Sequence, residues 1–114
     1  MLVSTAPFIA GWRVAETRGH VFGLVVRSRG LGGNIMAGLR SIGGGEIHEY
    51  TALLEDTRRQ ALDRMVQNAT LRGANAIISM RFDSSELAGP MSEIVAYGTA
   101  VVVVPDPNAP QPRE

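Results

Sequence analysis

The segment from Ser92 to Val104 has the pattern of a β-strand whose two faces are both apolar. Successive side chains of a strand point to opposite faces of the sheet. One face would carry Ile94, Ala96, Gly98, Ala100, Val102 and Val104, and the other Val95, Tyr97, Thr99, Val101 and Val103. A single helix covers only one face of a small sheet, so the second face needs another cover. In a chain of 114 residues, this pattern predicts that a second subunit supplies it.

A long amphipathic helix is predicted from Glu46 to Arg72. Apolar residues recur through it at intervals of three, four or seven, which places them on one side of a helix. Acidic residues are concentrated in its first part and arginines in its second part, the order that complements the helix dipole. Gly73 follows, and glycine adopts the left-handed conformation that ends many helices.

The remaining strands are predicted on either side of this helix. Asn75 to Ser84 alternates, and forms an antiparallel hairpin with the strand from Ser92 to Val104. One face of the first hairpin strand would carry Ala76, Ile78, Met80 and Phe82, and the other Ile77, Ser79, Arg81 and Asp83. Near the N-terminus, Trp12–Thr17 and Val21–Arg27 also have strand patterns, and Arg18-Gly19 is expected to break the chain between them.

The composition excludes several classes of protein. No cysteine is present, so disulfides, thiolate metal sites and cysteine nucleophiles are excluded. Eleven basic residues balance eleven acidic ones, which argues against nucleic-acid binding through bulk charge. No stretch reaches the roughly 20 apolar residues of a membrane span, and no targeting segment is evident. We therefore expect a cytoplasmic protein that binds neither nucleic acid nor membrane.

A proline-rich tail is predicted after the folded part of the chain. Residues 105–114 read PDPNAPQPRE, with four of the six prolines and no large apolar side chain. Proline lacks a backbone donor and restricts φ, so this segment suits neither a sheet nor a helix interior. The sequence predicts one α+β domain over residues 1–104 and a disordered tail over residues 105–114. A PxxP-type ligand at Pro107–Pro110 is the alternative interpretation of the tail.

A glycine-rich segment lies between Gly30 and Gly45 and holds seven of the thirteen glycines. It lacks the Gly-Lys-Ser/Thr ending of a P-loop. Ile35 stands where the Rossmann fingerprint needs its third glycine. The favoured interpretation is a short helix with an apolar face, flanked by two glycine hinges.

The order of these elements resembles the YbjQ-like family, whose members are described as putative heavy-metal-binding proteins of otherwise unknown function. The matching strings are GWRVAETRGHVFGLVV, NIMAGLRSIGGG, EIHEYTALLEDTRRQALDRM, RGANAIISMRFDSSE and IVAYGTAVVV, which together span nearly all of Ser4–Val104. The resemblance implies a small antiparallel sheet on one long and one short helix. It further implies a dodecin-like subunit topology and a ring-shaped homopentamer. It brings no established enzymatic activity.

The family description raises the question of a metal site. Without cysteine, a metal would depend on imidazole, carboxylate or thioether donors. Glu46 and Glu49 share one helix face, and His48 lies beside them in sequence. A divalent cation held there with a ligand from another subunit is one hypothesis, and two acids that complement the helix dipole are the other. His20, beside Gly19, is a further candidate ligand or a solvated turn residue.

A second set of candidate residues is expected at a subunit interface or in a shared pocket. Arg81 and Asp83 lie two apart on one strand face, and form either an intersubunit ion pair or a site for a small anion. Trp12 is a candidate wall of such a pocket or an ordinary packing residue. Tyr97 and Val101 lie on the second apolar face of the last strand, where the partner subunit is expected.

No constellation of catalytic residues is visible. The chain has neither a G-x-S-x-G elbow nor an evident Ser–His–Asp order, and no carboxylate pair is placed for acid–base chemistry. We therefore expect a homo-oligomer, and not an enzyme, that binds a small ligand or a metal ion at subunit interfaces. The alternative is a purely structural or adaptor oligomer that recruits a protein partner and binds no ligand.

Overall fold

A computed structural model describes residues 1–28, 48–86 and 91–108 of the chain. Its elements are β1 (Leu2–Val3), β2 (Trp12–Ser28), α1 (His48–Leu71), β3 (Ala76–Glu86) and β4 (Met91–Pro105). The strands form one sheet in the order β1-β3-β4-β2, and α1 packs on one face of it. The predicted α+β class is confirmed. The sheet is mixed, however, and not antiparallel, because β1 pairs with β3 in the parallel direction.

The strand β2 is a single strand of 17 residues. Its register against β4 shifts between Val14 and Glu16 and again between Thr17 and Gly19. Gly19 has a φ of 89°, a backbone conformation that glycine adopts without strain. The expected chain break at Arg18-Gly19 is therefore wrong, because an irregularity of this kind bends a strand without ending it.

The helix α1 packs on the sheet through residues spaced four apart. Thr57, Ala61, Met65 and Ala69 are buried along this stripe. They face a layer of buried sheet residues formed by Val21, Val25, Ile77, Met80, Ala96 and Ala100. Gly73 has a φ of 78° and follows the helix end, as the sequence predicts.

The alternation of β3 is interrupted at Ser79, which has a φ of 55°. Ile78 pairs with Thr99 and Arg81 with Tyr97, so two residues of β3 lie opposite Gly98 alone. This bulge places Met80 in the helix-facing core with Ile77, while Ile78 packs on the other face. The prediction that Ala76, Ile78, Met80 and Phe82 share one face of β3 is therefore wrong. As predicted, Arg81 and Asp83 lie on the other face of the sheet from Met80 and Phe82. Ile78, however, lies on the same face as these two charged residues.

The second face of the sheet is partly covered by the chain itself. Residues 1–11, here called the N-terminal segment, precede β2 and run beside β3 through backbone hydrogen bonds, including Ser4 N to Ile77 O and Met80 N to Ser4 O. Its residue Ile9, together with Trp12, packs on the buried pair Val101 and Val103. Val101 is only 1% exposed. Its expected place at a subunit interface is therefore wrong, because its own chain covers it.

The ordered chain extends beyond the predicted domain end at residue 104. Pro105 is the last residue of β4 and pairs with Trp12, and the Asp106 amide donates to the carbonyl of Gly11 at 2.8 Å. Residues 105 and 106 therefore belong to the described fold, beyond the predicted boundary. The short helix expected in the glycine-rich segment, Glu46, and the rest of the tail lie outside the described residues. No helix in the described ranges is long and apolar enough to cross a membrane.

Candidate functional site

A group of exposed apolar side chains lies on the sheet face opposite α1, beyond the part that the N-terminal segment covers. Directly opposite residues of antiparallel strands share a face. Phe22 pairs with Tyr97, Leu24 with Val95 and Val26 with Glu93. Phe22, Leu24, Val26 and Tyr97 are 53%, 37%, 43% and 42% exposed, and we call these four residues the outer patch.

Charged residues border the outer patch. On β3, Arg81 lies opposite Tyr97 and Asp83 opposite Val95, while Glu93 on β4 lies opposite Val26. Arg81 Nη1 donates to the carbonyls of Thr5 at 2.7 Å and Met80 at 2.8 Å, so its guanidinium joins the N-terminal segment to the sheet. Asp83 Oδ1 accepts from the Ser84 amide at 2.8 Å. An apolar centre with a charged rim is the usual composition of a protein–protein interface.

Side chains from α1 occupy the free edge of β2. Arg64 donates to the carbonyl of Leu24, Asn68 to Phe22 at 2.8 Å, and Arg72 to His20 at 2.8 Å. The three donors are spaced four apart on the helix, and the three acceptors are spaced two apart on the strand. We call Arg64, Asn68 and Arg72 the edge ladder. It occupies carbonyls that an added strand would need for pairing.

An open pocket lies within the N-terminal segment. Its cavity volume is about 270 Å³, and residues lining it include Leu2, Val3, Phe8 and Ile9. The lining is mostly apolar, and Leu2 and Val3 remain substantially exposed. Two of its lining residues, Ser4 and Ala6, flank Thr5, whose carbonyl accepts the hydrogen bond from Arg81. We call this feature the N-terminal pocket.

The candidate metal ligands are not brought together in the described part of the chain. His20 is exposed on β2 opposite Thr99, and it is not in a turn between strands as expected. His48 and Glu49 belong to the first turn of α1, but their side chains lie outside the description, as does Glu46. Among the described residues, no group of three His, Asp or Glu side chains could hold a metal ion.

The structure separates the expected interface residues into two groups. Arg81, Asp83 and Tyr97 lie together at the outer patch, whereas Trp12 packs with Val101 under the N-terminal segment. Phe22, Leu24 and Val26 were not recognised from the sequence as site residues. Their signal was available, because Val21–Val26 is apolar on both faces except for Gly23, the same pattern that identified β4.

The described residues define a small α+β fold in which α1 packs on a four-stranded mixed sheet. A family model described as "Putative heavy-metal-binding", YbjQ_1, matches residues 1–104. The chain belongs to this family, as the sequence predicted.

Two relatives illustrate the similarity. A UPF0145 protein of Bradyrhizobium sp. is 62% identical over 105 residues, covering 92% of this chain and 95% of the relative. A UPF0145 protein of Methanoregula boonei is 54% identical over 112 residues, covering 98% and 93%. A crystal structure of a protein of unknown function from Pediococcus pentosaceus, of the DUF74 family, has a TM-score of 0.59 at 17% identity, covering 91% of this chain and 98% of that one. That last likeness concerns the fold alone.

Proposed function

We propose that this protein assembles into a homo-oligomer and binds a small ligand or a metal ion where subunits meet, without catalysing a reaction. The observation that carries the assembly is the outer patch, where four large apolar side chains of one sheet face remain 37–53% exposed. Removing such surface from water stabilises association by about 25 cal/mol per Å². Five subunits is the number that the family resemblance implies, and the cytoplasm is the proposed location.

The ligand part of the proposal starts from the family description and the donor set. A chain without cysteine offers a metal only imidazole, carboxylate and thioether donors. His20, Glu46, His48 and Glu49 are the proposed contributors. A second subunit is the proposed source of a further ligand that would complete the site.

The assembly is tested by placing a charge in the outer patch. Phe22→Asp is expected to lower the particle mass to that of smaller species, because a carboxylate would have to be desolvated in the contact. Phe22 is 53% exposed, so the subunit itself should still fold. Leu71→Asp is the matched control, since Leu71 is 85% exposed on the helix end and away from the patch. Light scattering after size exclusion measures the mass, and circular dichroism verifies the fold. An unchanged mass in Phe22→Asp, or a monomeric wild type at micromolar concentration, contradicts the proposal.

The ligand is tested separately on protein purified without a histidine tag. Elemental analysis and calorimetric titration with divalent metals should show stoichiometric binding. His20→Ala should weaken that binding if His20 supplies a ligand, and Asn108→Ala serves as a control substitution elsewhere on the surface. An oligomer with neither bound metal nor titration heat would reject the metal and favour the structural or adaptor oligomer.

A further inference from the structure

We propose that the proline-rich tail binds its own subunit, with residues 109–112 in the N-terminal pocket. This inference goes beyond the proposed function and does not depend on the assembly of several copies. The proposed occupant lies outside the described residues and follows directly after Asn108. Its sequence is APQP, in which the prolines are Pro110 and Pro112.

The chain leaves the sheet beside the pocket. The amide of Asp106, one residue beyond β4, donates to the carbonyl of Gly11 at 2.8 Å. The residue before Gly11 is Ala10, which lines the pocket, and consecutive Cα atoms are only ~3.8 Å apart. The Asn108 amide donates to Asp106 Oδ1 at 2.9 Å, so the chain turns as soon as it has left β4. The proposed occupant therefore starts close to the pocket lining.

The tail is long enough to enter the pocket. A polyproline II segment rises about 3.1 Å per residue, so residues 109–112 span roughly 12 Å. The pocket volume of about 270 Å³ lies below the ~300–1,000 Å³ of sites for drug-sized ligands, and it suits a short peptide segment. Because so few residues connect the occupant to the sheet, its local concentration at the pocket is on the order of millimolar. A weak contact is therefore sufficient to hold it.

The lining of the pocket matches the chemistry of the tail. The lining is mostly apolar and includes Leu2, Phe8 and Ile9. Proline-rich segments bind aromatic-lined apolar grooves with a small loss of conformational entropy, because the proline ring already restricts φ. Proline also lacks an amide donor, so Pro110 and Pro112 bring no N–H group that an apolar pocket would leave unpaired.

The test uses the absence of native cysteine and keeps both prolines. Gln111→Cys places a thiol in the tail, and Val3→Cys places one at the pocket. Val14→Cys replaces Val3→Cys in the control, because Val3 and Val14 are 40% and 42% exposed. Val14 also lies two residues from Trp12, which pairs with Pro105 at the end of β4. Under mild oxidation of dilute protein, we expect an intrachain disulfide between the tail and Val3→Cys, with a yield several times that of the control. Mass spectrometry of the tryptic peptides identifies the pair.

A second variant tests the role of the prolines. Pro110→Gly and Pro112→Gly are introduced together into the chain that carries Gln111→Cys and Val3→Cys. Glycine has no ring and leaves φ unrestricted, so the disulfide yield should fall to that of the Val14→Cys control. An unchanged yield would overturn the assignment of the prolines to the pocket.

Two further outcomes would overturn the inference. Equal yields with Val3→Cys and Val14→Cys would show that the tail has no preference for the pocket. A disulfide that joins two chains, seen as a doubled mass in denaturant without reductant, would place the tail in the pocket of another copy and overturn the intrachain contact. The proposed homo-oligomer is judged separately, by light scattering of the wild-type protein, and neither of these outcomes contradicts it.

Discussion

Gly23 on β2 and Gly98 on β4 allow other parts of the chain to pack directly against the backbone of the sheet. A Cβ at Gly23 would overlap the carbonyl oxygen of Ala61 and the amide nitrogen of Met65, both in the backbone of α1. A Cβ at Gly98 would lie 2.7 Å from Cγ2 of Ile77, opposite the bulge of β3. α1 therefore packs directly on the backbone of β2 at Gly23, and the bulge region of β3 packs directly on the backbone of β4 at Gly98. Neither position has room for a side chain.

Gly23→Ala should lower the free energy of unfolding by about 1–3 kcal/mol, the usual cost of overpacking a core. The added methyl group meets helix backbone, which moves only if the whole of α1 shifts. Urea denaturation measures the change. Thr17→Ala, at an exposed position of the same strand, should change stability by less than about 0.5 kcal/mol. Equal stability of Gly23→Ala and wild type would contradict the close contact.

At the scale of the element, α1 both covers the sheet and closes one of its edges. Its buried stripe contacts the core, while the edge ladder on its flank donates to three carbonyls of β2. Edge strands with free backbone groups are templates for pairing with other chains. The helix therefore protects β2 with side chains that lie beside the hydrophobic stripe.

Replacing Arg64, Asn68 and Arg72 together by alanine should promote aggregation through the uncovered edge of β2. The freed carbonyls can then accept hydrogen bonds from a strand of another molecule. Turbidity and thioflavin fluorescence at a fixed protein concentration measure the change. Arg58→Ala with Arg59→Ala is the control, because these two arginines lie on the same helix outside the ladder. Similar aggregation in both variants would attribute the effect to lost charge alone.

The sequence predicted those elements whose signal is local. The period of α1, the stop at Gly73 and the alternation of β4 all follow from neighbouring residues. The bulge at Ser79 does not follow from neighbouring residues. The positive φ of this serine depends on contacts with distant parts of the chain, including the hydrogen bond from its amide to the Ala6 carbonyl.

The cover of Val101 was also missed from the sequence. Val101 is covered by residues of the N-terminal segment, about ninety positions earlier in the chain. The sequence pattern within β4 contains no information on a contact with so distant a segment. The same limit applies to the site. The apolar pattern around Phe22 was visible in the sequence, as it was for Tyr97, but only the register between β2 and β4 shows that the two residues are neighbours.

At the scale of the whole molecule, the described helix, sheet and N-terminal segment leave the four apolar side chains of the outer patch exposed on the sheet face opposite α1. The chain as a whole has a formal net charge of zero, so copies approach one another without net repulsion. In the proposed assembly, charged residues at the border would contribute orientation, and the apolar centre would contribute the free energy of association.

The proposed assembly should therefore persist at high ionic strength. At about 1 M salt the Debye length falls to ~3 Å, which screens the border charges, while burial of apolar surface is not screened. Light scattering in low and high concentrations of sodium chloride should give the same mass. Asp83→Asn should likewise retain the oligomer and affect mainly its rate of formation. Dissociation on addition of salt would show that charge, and not the outer patch, holds the subunits together.

The pairing of the first strands with the last ones also determines when the chain can fold during synthesis. β2 pairs along its whole length with β4, and Trp12 meets Pro105, 93 positions later. At ~5–20 residues per second, the ribosome needs about 5–20 s to make that intervening chain. During this time Phe22, Leu24 and Val26 are already synthesised without β4 beside them. A chaperone that binds short apolar segments would therefore find β2 available until β4 emerges.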